Sequence, residues 1–145
     1  MQRSGFTLLE LLLSVAMIAI LTSMVIPFSR SYYTKNGLSL ATDSTVQAIR
    51  QAEHYARAQI NDTQWGVYVT TGRIVVFSGN TYATRVEVED ITFEISNTIT
   101  ISGTSEFVFE KLTALPTTTG TLTLTDVDGK VANIQLSSRG MVSIQ

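Results

Sequence analysis

The sequence predicts an α+β fold, with a long N-terminal α-helix packed on a C-terminal antiparallel β-sheet domain. Three observations carry that expectation. Residues 6–28 form a nearly uninterrupted apolar run. Residues 38–60 repeat apolar side chains at spacings of three and four. Residues 61–145 break into short runs rich in Thr, Val and Ile, with turn residues between them.

The apolar run comes first. Its 23 residues, Phe6 to Phe28, would extend about 34 Å as a helix at 1.5 Å per residue. That suffices to cross a bilayer core of roughly 30 Å. Glu10 is its one ionised side chain. A carboxylate in hydrocarbon is expensive and marks a functional position by default, and nothing within the run can meet its charge. A secretory signal peptide would have a shorter apolar core followed by an Ala-x-Ala-like site; Ser29 and Ser31 form none. A plain single-pass anchor accounts for the length but not for Glu10 or the abrupt Gly5-Phe6 junction. The third reading places a processing site at Gly5-Phe6, in front of the run.

Within the run, Ser14, Ala16 and Ala19 are small enough for close helix packing. Pro27 lacks a backbone donor and is expected to bend or locally open the helix. Arg30, Tyr32, Tyr33 and Lys35 follow as a polar and aromatic collar, and Gly37 is a second weak point. From Leu38 the pattern becomes amphipathic. Ala41, Thr45, Ala48, Ile49, Ala52, Ala56 and Ile60 make one stripe, expected to pack on a sheet. Asp43, Arg50, Glu53 and Arg57 fall mostly off it. Glu53 and Arg57 stand at i,i+4 in the favourable order.

Asn61-Asp62 is expected to end the helix. The chain contains 21 Thr, a residue suited to pleated surfaces. Gln64 to Thr70 places Trp65, Val67 and Val69 on one face, and Thr71-Gly72 turns it into Arg73 to Ser78 as a hairpin. Gly79-Asn80 is a further turn. Ile91, Phe93 and Ile95 alternate, followed by Ile99 and Ile101, and then Phe107, Phe109 and Leu112 as another strand. Leu122 and Leu124 pair through Asp128-Gly129 with Val131, Ile134 and Leu136. Met141 to Ile144 is expected to close the sheet. The division that follows is 1–5 leader, 6–28 transmembrane and assembly helix, 29–60 amphipathic continuation, and 61–145 β-rich domain.

Gly5, Phe6-Thr7-Leu8-Leu9-Glu10, the apolar run and Pro27 together resemble the processing motif of type IV prepilins and type II secretion pseudopilins. The resemblance implies cleavage by a prepilin peptidase between Gly5 and Phe6, and N-methylation of Phe6. It implies that Glu10, five residues into the mature chain, serves assembly, and that Pro27, 22 residues into it, matches a proline the family often carries. An adjacent subunit could offer Glu10 the positive amine of its own Phe6. Such a pair costs desolvation, so it suits setting register better than adding net stability. The alternative is that Glu10 lies near the interface and snorkels to water. A finer similarity, to the pseudopilin H and FimT-like group, rests on Ile49 to Arg57, Asn61, Trp65 to Val69, and Ser138-Arg139-Gly140-Met141-Val142.

The remaining composition excludes much chemistry. There is no Cys, which removes thiolate ligands, cysteine nucleophiles and disulfides; His54 is the only His, which removes His-rich metal ligation. No phosphate-binding loop, dinucleotide fingerprint or nucleophile elbow occurs. The chain is therefore expected not to be an enzyme and to need no cofactor. Asp126 and Asp128, in Asp126-Val127-Asp128-Gly129, resemble the start of a calcium loop. Lys130, Val131 and Ala132 then supply no further side-chain oxygens, and a hairpin turn accounts for Asp-Gly without an ion. Asn61-Asp62-Thr63 fits a glycosylation pattern, but a turn after the helix accounts for it without one. Without its leader the chain keeps nine Lys and Arg against twelve Asp and Glu. Beyond Arg85 only Lys111, Lys130 and Arg139 follow, sparse and not clustered, so nucleic acid is not an expected partner.

The expected role is a structural pilin or pseudopilin subunit. Its partners are other such subunits, the prepilin peptidase and the inner membrane. It would be a single-pass precursor there, N-terminus inside, and later part of an extracellular pilus or periplasmic pseudopilus. The alternatives are a DNA- or surface-binding minor pilin and a membrane-anchored β-domain binding module; Glu10 and the Gly5-Phe6 junction speak against the last. Intact mass and N-terminal sequencing of the mature protein should give methylated Phe6 as the first residue. A mature N-terminus at any other position would show the processing assignment to be wrong.

Overall fold

The computed structural model describes residues 7–145, apart from the side chains of residues 23–36. The chain divides into two compact units at the Tyr33/Thr34 boundary. Helix α1 runs Leu8–Arg57. Its first turn begins at Thr7, whose hydroxyl accepts the Glu10 N–H at 3.3 Å. A threonine before the first helical residue satisfies one of the donors that the helix leaves without a partner. The helical backbone passes through both expected weak points, Pro27 and Gly37, without ending. The Pro27 side chain lies outside the described residues.

The apolar stripe behaves as its period dictates. Ala41, Ala48, Ile49, Ala52 and Ala56 are buried, and so is Thr45. The Thr42 and Thr45 hydroxyls donate back to the Leu38 and Ala41 carbonyls, at 2.8 and 2.7 Å. That bond lets a polar side chain sit on a buried helix face without an unsatisfied donor. The helix ends at Arg57, three residues before the expected Ile60. Gln59 turns left-handed at φ 54°, which breaks the helical ladder as a C-terminal cap does. Ile60–Asp62 then makes a 3₁₀ turn, fixed by the Trp65 indole N–H to the Ile60 carbonyl at 2.9 Å.

The remainder forms two antiparallel four-stranded sheets. Strands β1 (Trp65–Thr70), β2 (Arg73–Ser78), β3 (Ile91–Glu94) and β5 (Glu106–Phe109) make the first, in the order β3-β2-β1-β5. Strands β4 (Thr100–Gly103), β6 (Gly120–Thr125), β7 (Val131–Leu136) and β8 (Val142–Ile144) make the second, in the order β4-β6-β7-β8. Both expected hairpins form, β1 with β2 and β6 with β7. The expectation of one sheet closed by Met141–Ile144 needs correction, because β8 closes only the second sheet. The chain changes sheets within two residues: the Thr104 N–H bonds the Thr121 carbonyl at 2.9 Å, while the Ser105 carbonyl receives the Val69 N–H at 2.8 Å. Leu112 also leaves its expected strand. It is 61% exposed, has φ 75°, and gives its backbone N–H to the Ala56 carbonyl at 3.0 Å, satisfying an acceptor near the helix end.

One core joins these pieces. The helix stripe meets Val67 and Val69, Ile74 and Val76, and Phe107 and Phe109 from the first sheet, with Leu122, Leu124, Ile134 and Leu136 from the second. Ile95 and Ile99, outside the strands proper, are buried in the same cluster. A second, smaller cluster of Val75, Phe77 and Val108 lies on the other face of the first sheet, with Tyr68 and Tyr82 against it. That sheet is therefore covered on both faces, which is why β2 reads as a continuous apolar run rather than an alternation.

Gly66 is the tight point of this arrangement. It pairs across from Phe77, and a Cβ there would come 2.5 Å from Phe77 Cζ and 2.9 Å from the Phe107 carbonyl oxygen. The phenylalanine ring fills the space that the glycine leaves, as aromatic side chains do beside sheet glycines. Gly66→Ala should lower unfolding stability by about 2 kcal/mol through overpacking, read by urea denaturation. Adding Phe77→Leu should recover only part of the loss, because the contact with the Phe107 backbone remains.

Candidate functional site

Two regions carry the chemistry that the sequence singles out. In the first, the N-terminal part of α1, large apolar side chains face solvent on every side. Leu8 is 79% exposed, Leu9 77% and Leu21 66%, and the Leu, Val, Met and Ile residues between them are also exposed. Glu10 lies in the first helical turn. A negative charge there is favoured by the positive end of the helix dipole. Among the described residues the Glu10 carboxylate takes no ion pair or side-chain hydrogen bond. The Ser14 hydroxyl bonds the Glu10 carbonyl at 2.8 Å, and the Thr22 hydroxyl bonds the Ile18 carbonyl at 2.8 Å. Both small polar residues are thereby satisfied within their own helix. Gly5 and Phe6, the expected processing pair, lie outside the described residues. Among the described residues no helix is long and apolar enough to cross a membrane; the expected span, residues 6–28, falls partly outside them.

The second region is the β domain. Asp126 is 5% exposed, and its Oδ1 accepts the Asp128 and Lys130 N–H groups at 2.9 and 2.8 Å. The Asp126 N–H bonds the Lys130 carbonyl at 3.0 Å, and Gly129 has φ 78°. These bonds make a closed hairpin turn in which the aspartate side chain takes the place of a backbone acceptor. Asp128 contributes its backbone N–H to this turn. Among the described residues no three His, Cys, Asp or Glu side chains gather in a way that could hold a metal ion.

On the outer side of α1, Glu53 bridges two arginines. Its carboxylate lies 3.1 Å from Arg50 Nη1 and 2.9 Å from Arg57 Nη2. The Glu53–Arg57 pair follows from its spacing. The Arg50 pair, at i,i+3, is an addition that the same rule could have found. Arg50 Nη1 also comes within 3.5 Å of the Gly140 carbonyl. That brings the Arg139-Gly140 turn to the helix, a proximity that no local pattern reveals. His54 is exposed and meets the edge of Tyr55 at 6.2 Å between ring centres. Asn61 is exposed, with φ 59°, in the turn after the helix.

Arg85 anchors the segment that covers the outer face of the first sheet. Its guanidinium bonds Asp90 at 2.8 Å and the Tyr82 carbonyl at 2.9 Å, and lies 3.9 Å from the centre of the Tyr82 ring. Tyr82 in turn stacks on Tyr68 at 4.1 Å and donates its backbone N–H to Glu106 at 3.0 Å. The hydrogen bond to Asp90 raises the Arg85 pKa above the ordinary arginine value, against the opposing effect of burial. A raised pKa means that the contribution of this cation is complete at neutral pH and is lost only on strong alkalinisation. Such a lock was not legible in the sequence, because an Arg and an Asp five residues apart signal nothing outside a helix.

Residues 1–26 match the family model described as the prokaryotic N-terminal methylation motif. The chain carries that motif. The methylation motif supports a type IV pilin-like precursor. Its matched stretch contains Gly5, Phe6 and Glu10. No curated protein and no solved structure matches the chain.

The turn geometry assigns the structural burden to Asp126 rather than Asp128. Asp126→Ala should cost about 1–3 kcal/mol by leaving two backbone donors without their acceptor, whereas Asp128→Ala should change stability by no more than about 0.5 kcal/mol. Urea denaturation of the two variants checks this. A calcium-dependent rise in melting temperature that Asp126→Ala abolishes would contradict the turn reading.

Proposed function

We propose that the chain is a structural subunit of a type IV pilus or type II secretion filament, of the pseudopilin H and FimT-like kind. It acts without catalytic chemistry. The match of residues 1–26 to the methylation motif carries this reading. In it, the precursor sits in the inner membrane with residues 6–28 spanning and the basic leader inside. Cleavage after Gly5 and methylation of Phe6 release it for assembly into an extracellular pilus or periplasmic pseudopilus.

The exposed apolar girdle of α1 supports the assembly step, since side chains of this size left in water would otherwise drive aggregation. Packed against the helices of neighbouring subunits they lose that contact with water, and Ser14, Ala16 and Ala19 allow close approach. Glu10 is then the one charged group in an apolar bundle. The Phe6 amine of an adjacent subunit meets it, and because the cost of an unmet charge rises as water is excluded, only one axial register is tolerated. Pro27 permits the helix to adjust locally beyond the packed segment.

The test separates pairing from insertion. Glu10→Gln keeps the shape without the charge, and Glu10→Leu suits the membrane better than the native residue. Both variants should be inserted and cleaved. Both should yield few filaments when expressed alone, with incorporation restored beside wild-type subunits. Normal filament yield from Glu10→Leu alone, counted in sheared surface fractions, would remove Glu10 from the mechanism.

A further inference from the structure

Building on the filament reading, we infer that the globular domain carries two mutually complementary surfaces through which one copy docks on the next: an acidic tip around Val88 and an arginine-rimmed patch around Met141. The tip is the 3₁₀ turn Glu87–Glu89. Val88 is 96% exposed, with Glu87 and Glu89 on either side and Asp90 following. Arg85 pairs with both Asp90 and Glu87. Glu87 is exposed while Glu89 and Asp90 are half-buried, and three carboxylates against one guanidinium leave the tip negative.

The opposite patch reverses each property. Met141 is 67% exposed and directly follows Gly140, whose carbonyl lies 3.5 Å from Arg50 Nη1. Arg50 and Arg57 share the single carboxylate of Glu53, and Arg139 stands next to Gly140 in the chain. Arg50 and the exposed Arg139 stand nearest Met141, with Arg57 about two turns further along the helix, and three arginines against one glutamate leave this face positive. Each surface thus has an exposed apolar centre with a charged rim, and the rims are of opposite sign. Apolar centres with complementary rims are the arrangement that protein interfaces use for affinity and for orientation.

One copy cannot bring the two surfaces together. The helix that bears Arg50 and Arg57 packs on the inner face of the first sheet, whereas the tip belongs to the segment covering the outer face, where Tyr82 lies against Phe77 and Tyr68. The opposite signs of the two rims are what assign each surface the other one on a second copy of this chain as its occupant. A contact between two different patches is head-to-tail, and it propagates along a filament unless its rotation closes a ring. The tip is also held in advance of docking by the Arg85–Asp90 bond and the Tyr82–Tyr68 stack, so little ordering opposes association.

The chain has no cysteine, so a cross-link can be placed without background. Filaments are sheared from cells expressing the full-length chain as wild type, as Val88→Cys, as Met141→Cys, and as the double variant, then oxidised and run without reductant. The double variant should give a ladder of dimers, trimers and longer products, while neither single variant extends beyond dimers. Arg50→Glu with Arg57→Glu should lower filament yield by about tenfold, as like charges face each other across the contact. Glu87→Lys with Glu89→Lys in the same chain should restore it. Wild-type filaments accompanied by double-variant filaments that give no ladder overturn this pairing and leave the subunit reading standing. A wild-type chain that forms no filaments overturns both. Should the paired cysteines prevent assembly, the charge arm decides, and an unchanged yield on arginine reversal overturns the pairing.

Discussion

The β domain depends on the close approach of one helix face to two sheets. That face is built from alanines, Ala41, Ala48, Ala52 and Ala56, with Ile49 as the one large residue among them, all fully or almost fully buried. Neither sheet has an inner face that could be left in water: Val67, Val69, Ile74, Val76, Phe107 and Phe109 line one, and Leu122, Leu124, Ile134 and Leu136 the other. Small side chains on the helix let these larger ones fill the shared space. A bulky residue in place of any of the alanines would push the helix off both sheets at once, since cores at native density have no room to absorb added methylenes.

Around that shared core the first sheet is unusual in burying both of its faces. The outer face holds Val75, Phe77 and Val108 under Tyr82, and the segment that brings Tyr82 there has only short 3₁₀ turns of its own. It is held by polar contacts instead: Arg85 to Asp90, Arg85 to the Tyr82 carbonyl, and the Tyr82 N–H to Glu106. Polar anchoring of an irregular segment leaves its apolar side chains free to point either way. Tyr82 points inward onto Tyr68, while Val88 points outward into solvent. The same device therefore covers a core and presents a surface.

The stretch of α1 over residues 8–22 follows a different logic. Its apolar side chains are exposed around the whole circumference rather than along one stripe, so no single face within the chain could satisfy them. A helix apolar all round belongs in an apolar environment or in a bundle, and the proposed function places it in the two in succession. Glu10 then carries two roles that do not conflict. Its place in the first turn, three residues after the capping Thr7, suits the helix terminus in any surroundings. Its carboxylate has no partner among the described residues, and the proposed assembly step would have a neighbouring subunit meet it.

The sequence by itself determined whatever depends on local period and local chemistry. The helical stripe from Ala41 to Ala56, the β1–β2 and β6–β7 hairpins, the turn at Asp128-Gly129 and the motif around Gly5, Phe6 and Glu10 were all legible, because each is a repeat or spacing within a few residues, whereas the part of Asp126 in that turn was not. Tertiary structure alone decided what depends on contacts between distant segments. The division into two sheets rests on which strands pair, and alternation names the buried face of a strand without naming its neighbour. Leu112 looked like a strand residue, yet its N–H is needed by Ala56 at the helix end. The early stop at Arg57 came from the left-handed turn at Gln59, which nothing in that residue type announces. Arg50 and Gly140, ninety positions apart, meet only because the helix and the last hairpin share one core, and the charged face they help to form exists in the folded chain alone.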